Sequence, residues 1–451
     1  MKKTKKWIAI GLSAMFCFAL TACEDVPEQP EQPEQPKPPV KNGLLWELTE
    51  LPEYTDSGER MVISFMNEAR PDGKDLEKSF QVLQQSGITT YAPWGYWYGN
   101  EPILERYNLM YLPHTEEKTP QEVSQYLMPD VISDNVIGFY YRDEPTYNQI
   151  TAYTEDARNH QENYSDKLFL VNLLPDWEPD RGEGGRFGGE YIDYVAYYCD
   201  IVFSQITENR ILSVDCYPLN ENGTIKPEWL TCYETIAEFA REYDADFHFY
   251  VANTEHWGYR KLNMDNLRYM VNVAMTYGGD ALSYFTYVTY EDKLASGWGN
   301  GLVEIDGVTP SETYALAQQM NKELLSWDHV FLNFKWEATM TLEGTNGGEN
   351  SLYADLQFNA DKIDIIESAV CSEDTLIGRF TGKNDEIGLM VTNFSDPKDG
   401  KTDTVELQLK EANKAIVYVN GEPTVMDVIN GKLNLVLAAG AAAFVIPVEL
   451  V

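Results

Sequence analysis

The chain has 451 residues, and 72 acidic against 34 basic side chains leave it a formal charge of −38. A surface that acidic repels polyanions and anionic headgroups, which excludes nucleic-acid binding and charge-driven membrane association. Five histidines and six cysteines, with no CxxC pair and no close Cys/His set, exclude a zinc cage and a dense disulfide framework.

The first 22 residues read as an export signal. Lys2, Lys3, Lys5 and Lys6 make a basic start, and Trp7 to Ala22 is an apolar stretch short of a comfortable membrane span. It closes on Leu20-Thr-Ala-Cys23, which resembles the lipobox of bacterial lipoproteins. That resemblance implies cleavage before Cys23, a lipid on its thiol, and an extracytoplasmic, membrane-anchored location at the cell surface or in the periplasm. A failed signal or a true transmembrane anchor is the competing reading. Residues 23–42 repeat Glu-Gln-Pro, bury no apolar surface, and read as an extended tether.

Residues 43–333 alternate short apolar runs with amphipathic helical patterns. Eight runs predict strands: Met61–Phe65, Gly87–Ala92, Asn108–Leu112, Val136–Glu144, Lys167–Asn172, Ile211–Asp215, Phe247–Ala252 and Ala281–Phe285. Helices are predicted between them at Leu76–Gln85, Gln121–Leu127, Pro227–Tyr243 and Leu267–Tyr277. Thr119-Pro-Gln-Glu122 and Thr309-Pro-Ser-Glu312 each have the pattern of a capping box that opens a helix. Strict strand–helix alternation predicts a parallel sheet, and eight repeats suit a (β/α)8 TIM barrel. A doubly wound open sheet is the alternative, disfavoured because no phosphate loop is present. The glycines at Gly182, Gly184, Gly185, Gly188 and Gly189 read as a mobile loop over the barrel mouth. From 334 to 451 the texture changes to short alternating runs (Ile387–Thr392, Thr404–Leu409, Ala415–Val419, Ala441–Ile446). With the turns Asn420-Gly421 and Asn430-Gly431 they predict a C-terminal all-β sandwich.

Catalytic groups of such barrels sit at the C-terminal ends of strands. Those ends offer Asn67, Glu68, His114, Asp143, Glu144, Asn172, Asp215, Tyr217 and Glu255, with aromatics at Trp94, Trp97, Trp257, Tyr287 and Trp298. Carboxylates with aromatics and amides are the set glycoside hydrolysis needs. One carboxyl protonates the leaving oxygen, and a second acts as nucleophile or as base for water. The five aromatics are candidate sugar platforms, with buried packing as the alternative for each. In Val136-Ile-Gly-Phe-Tyr-Tyr-Arg-Asp-Glu-Pro145, side-chain alternation predicts that Asp143 and Glu144 point to opposite faces. An ion-paired or helix-capping role is the competing reading for the pair. No metal or cofactor is expected, nor an obligate protein partner. One disulfide among Cys199, Cys216, Cys232 and Cys371 stays open.

Gly138-Phe-Tyr-Tyr-Arg-Asp-Glu-Pro145, Ser213-Val-Asp-Cys-Tyr-Pro218 and Ala281-Leu-Ser-Tyr-Phe-Thr-Tyr287 resemble clan-A-type glycoside hydrolases, particularly β-galactosidase-like bacterial surface proteins. Ile305 to Tyr314 and Asn321 to Leu325 add to the likeness, which spans residues 43–333. The resemblance implies an acid/base glutamate at Glu144 and a nucleophile at the end of the seventh strand, where Glu255 stands. Asp143 occupies the place where the clan usually has Asn, and Asp215 is the rival second carboxylate. Asp143, Asn172 and Tyr217 are expected to bind substrate. The expectation is a lipid-anchored hydrolase of a neutral oligosaccharide, acting with retention. The alternative is a carbohydrate-binding lipoprotein on a barrel that has lost catalysis.

Overall fold

The computed structural model describes residues 40–41, 43–66, 76–93, 101–115 and 134–451. The calls on Cys23, Asn67, Glu68, Trp94, Trp97, the helix Gln121–Leu127 and the Thr119 capping box lie outside the described residues. Two short strands come first, β1 (Val40–Lys41) and β2 (Trp46–Leu48). All eight apolar runs then form strands: β3 (Val62–Met66), β4 (Thr90–Tyr91), β5 (Met110–Tyr111), β6 (Gly138–Asp143), β7 (Leu168–Leu173), β8 (Ile211–Val214), β9 (Asp246–Ala252) and β10 (Gly279–Phe285). Six of them make one parallel sheet in the order β3-β10-β9-β8-β7-β6, and β4 pairs in parallel with β5.

Hydrogen bonds outside the regular ladders tie the pair to both edges of that sheet. Thr89 N donates to Ile63 O at 3.0 Å, Ile137 N to Tyr111 O at 2.9 Å, and Tyr140 N to Pro113 O at 2.9 Å. A buried cluster takes side chains from every strand or the residue just beyond it, including Met66, Ala92, Leu112, Tyr140, Leu170 and Tyr250. The opposite faces, with residues such as Phe139, Phe169 and Leu212, pack on helices including Trp229–Glu242 and Met264–Thr276. Burial on both faces is why these strands read as near-continuous apolar runs.

The remaining strands are antiparallel: β11 (Phe334–Leu342), β12 (Ile366–Cys371), β13 (Thr375–Gly382), β14 (Ile387–Asn393), β15 (Asp403–Leu409), β16 (Lys414–Val419), β17 (Glu422–Asp427), β18 (Lys432–Leu437) and β19 (Ala442–Leu450). One sheet runs β1-β2-β19-β14-β13-β11, with β16 and β17 attached through β19, and the other runs β12-β15-β18. Val391, Val417 and Val445 from the first meet Val405, Leu407 and Leu435 from the second in a shared core. Both Asn-Gly turns have two left-handed residues (φ 49° and 83°; 53° and 78°), the backbone a tight hairpin requires.

Two sequence expectations change. Trp46–Leu48, counted with the barrel, instead joins the antiparallel sheet by pairing in parallel with β19. The Thr309 capping box does not form, and the helix starts at Tyr314. Asp306 accepts from the amides of Val308 and Thr309 and from the Thr309 hydroxyl, which closes a turn in place of a helix cap. The four cysteines named above are free and buried. Among the described residues no helix is long and apolar enough to cross a membrane.

Candidate active site

Strand β6 contains one extra residue. Its register against β7 shifts between Tyr140 and Arg142, so Tyr140 faces Leu170 while Asp143 faces Asn172. This bulge puts Tyr140 and Asp143 on the same side, and the Tyr140 hydroxyl donates to Asp143 Oδ1 at 2.8 Å. Glu144 follows in a left-handed backbone (φ 44°), with its amide donating to Asn172 O at 2.8 Å. The expected split of Asp143 and Glu144 onto opposite faces therefore does not occur. Bulge and left-handed turn together bring both carboxyls into one site.

Asn172, on β7, lies between the ends of β6 and β8. Its Nδ2 donates to Asp143 Oδ1 at 3.0 Å and to Asp215 Oδ1 at 2.9 Å. Burial pushes Asp215 well above the ordinary carboxylate range, and the neighbouring Glu144 and Asp143 charges add to it. Burial also raises Asp143, against the hydrogen bonds from Asn172 and Tyr140. Glu144 is raised to about 7, first by burial and then by the charge of Asp143. Arg186 opposes that rise: its Nη1 lies 3.7 Å from Glu144 Oε2, while its Nη2 pairs with Asp180 at 2.5 Å.

Arg186 comes from the glycine-rich segment. Sequence reading gave that segment no chemistry and took it as mobile, yet its centre is anchored. Phe187 is fully buried against Tyr191 and Tyr194. A Cβ at left-handed Gly188 would sit 2.7 Å from the Tyr147 ring, so only glycine fits there.

Tyr217 is buried, edge-on to His256 and Tyr259, and its hydroxyl has no hydrogen-bond partner among the described residues. The charges of Asp215 and Asp143 both reach it. Trp257 is 81% exposed and meets Trp298 edge-to-face at 5.3 Å, and Trp298 packs on His256 at 4.9 Å. Tyr287 is not a platform: it is 2% exposed and stacks on Phe65 at 4.8 Å. His114 is buried edge-on to Tyr140. Glu255 is half-buried, against Gly299 and within electrostatic reach of Lys261. The charges that raise Glu144 and Asp215 come from other acids, and Glu255 is not among them.

Sequence reasoning missed a set of inward polar side chains, Ser64, Ser213, His248 and Ser283. Each sits in the middle of an otherwise apolar strand, and that isolation was the available signal.

No protein-family model matches this sequence, and no curated protein matches it. Solved structures do. A glucosidase from Croceicoccus marinus is 12% identical with a TM-score of 0.41, covering 87% of this chain and 96% of its own. An Anoxybacillus alpha-amylase is 11% identical with a TM-score of 0.41, covering 88% and 100%. A beta-galactosidase from Bacillus circulans sp. alkalophilus is 8% identical with a TM-score of 0.40, covering 86% and 99%. Likeness this distant transfers neither a family nor an activity.

Proposed function

We propose that the protein is a glycoside hydrolase in which Glu144 is the proton donor and Asp215 the second carboxylate. One observation carries the reading. Asp143, Glu144 and Asp215 share a single cluster at strand ends, bridged by Asn172, and Glu144 holds its proton to about 7. Two carboxyls gathered at one strand end, one of them keeping a proton near neutral pH, are the parts that acid-plus-nucleophile chemistry requires. In this reading the glycosidic oxygen takes the Glu144 proton as Asp215 attacks the anomeric carbon, its ionised form favoured by the Asn172 hydrogen bond against the opposing burial and acidic neighbours. Glu144 then deprotonates the water that releases the sugar, giving net retention. Trp257 with Trp298 offers an apolar shelf. The eight parallel strands are taken to close as a (β/α)8 barrel, supported by the bonds that link β4 and β5 to β3 and β6. The two antiparallel sheets with their shared core support the C-terminal sandwich. A neutral oligosaccharide suits so acidic a chain, and the Cys23 lipobox supports a lipid-anchored, extracytoplasmic form.

Glu144→Gln and Asp215→Asn should each lower turnover of aryl glycosides by about 10²–10⁴-fold while leaving calorimetric sugar binding intact. NMR of the first-formed product should show the retained anomer. Full activity in Glu144→Gln would end the acid assignment. If Glu255→Gln were dead and Asp215→Asn active, the second carboxylate would pass to Glu255. The absence of Glu255 from the charges that act on Glu144 and Asp215 favours one other reading, a carbohydrate-binding lipoprotein without catalysis. Binding with no product from any glycan would establish it.

A further inference from the structure

A line of buried polar side chains runs from the carboxylate cluster through the centre of the parallel sheet. Ser213 Oγ donates to Asn172 Oδ1 at 2.8 Å and lies 2.8 Å from His248 Nδ1. His248 Nε2 lies 2.7 Å from Ser283 Oγ, and Ser283 meets Ser64. Asn172, Ser64, Ser213, His248 and Ser283 are each at most 1% exposed. Asn172 joins this line to the carboxyls directly, and Ser283 reaches Asp143 only at a distance, through Tyr250 and Tyr140.

The hydrogen-bond directions along this line are set from its end. An amide between two carboxyls must present N–H to both, which turns its carbonyl towards Ser213. The serine hydroxyl has one proton and gives it to that carbonyl, so it must accept from His248 Nδ1. The ring then carries its proton on Nδ1, and Nε2 accepts from Ser283. His248 stays neutral, held down to about 3 by burial.

We propose that His248 is a positioning residue: as the neutral Nδ1–H tautomer it fixes the Ser213 hydroxyl, which locks the Asn172 amide with both N–H bonds on Asp143 and Asp215. This deepens the glycosidase reading and rests on it for its catalytic consequence, though the tautomer does not. An unlocked amide can flip and set its carbonyl against the two carboxyls. Their ionised forms then lose the hydrogen bonds that favour them.

Two measurements separate the layers. A long-range ¹H–¹⁵N spectrum of the full chain labelled on histidine should show His248 protonated at Nδ1 and bare at Nε2. The reverse tautomer or a charged ring would overturn the proposal, whatever the activity. For catalysis, Ser213→Ala should lower kcat by about 10–100-fold, the usual cost of an outer hydrogen-bond partner, with little change in KM. The acid limb of its pH profile should move up, because Asp215 faces Glu144 and Asp143, and Asp143 faces Arg142 and Tyr140, with less compensation. His248→Asn keeps a donor near Nδ1 and should retain most activity. His248→Gln, closer to histidine in size, places its amide near Nε2 and should not. Gln outperforming Asn would mean that His248 only fills space, and the positioning role would fail. A wild-type chain that hydrolyses nothing would sink the glycosidase reading alone, leaving the tautomer result standing.

Discussion

Glu144 adopts a backbone conformation that costs a non-glycine residue about 1–3 kcal/mol, and it buries a charge beside Asp143. Strain and desolvation coincide at this one residue, as the proposed proton donor would require. They have a thermodynamic sign. In the unfolded chain the carboxyl has its ordinary value of 4.5, and in the native chain about 7. Between those values the native state binds more protons, so stability falls as pH rises through that window and stays lowered above it. Glu144→Gln removes the penalty. The side chain is 35% exposed, so solvent reduces the full effect to about 1–2 kcal/mol. Urea unfolding should find the variant more stable by that amount at about pH 8 and no different at about pH 4. A variant no more stable at either pH would show that the charge is already well solvated.

The glycine-rich segment delivers Arg186 to Glu144, and the two elements share one electrostatic balance. Arg186 holds the Glu144 proton affinity down, and Asp180 raises it. Arg186→Met removes the first and leaves Asp180 without its partner, so both changes act upward. The alkaline limb of the activity profile, where Glu144 loses its proton, should shift to higher pH. A limb that stays put would separate Arg186 from the acid. Neither this contact nor the bulge in β6 was legible in the sequence. A bulge is one extra residue in a strand whose apolar character it does not alter, and strict alternation then mispredicts everything after it. That is why alternation puts Asp143 and Glu144 on opposite faces, while the positions of Glu144 and Asp215 at strand ends make them candidates without it. The eight parallel strands were legible because burial on both faces writes itself as continuous apolar runs. Strands β11, β12, β13, β17 and β18 were not picked out: β17 carries mostly exposed residues, and in the mostly buried β13 Gly378, Arg379 and Thr381 interrupt the apolar run.

The described residues from Val40 to Val451 form one compact unit, in which the parallel and antiparallel sheets are joined by buried polar contacts. Arg260 makes a two-pronged pair with Asp396 at 2.6 and 2.9 Å, both side chains nearly buried. Glu234 accepts from the amides of Gln357 and Phe358 at 2.7 and 2.9 Å. Asp396 also pairs with Lys398 Nζ at 3.1 Å, so Arg260→Met leaves it a partner and should cost about 1–3 kcal/mol in urea unfolding. A cost below about 1 kcal/mol would place the pair in effective contact with water. The same antiparallel sheet has a property that bears on time. β2 pairs with the last residues of β19, Glu47 with Glu449 and Leu48 with Leu450. One of the earliest strands of the body to be synthesised must therefore wait for the latest, and closing a loop that spans nearly the whole body is a slow, non-local event. The β2 edge stays unpaired until β19 has formed, so this short zipper belongs among the later contacts of folding.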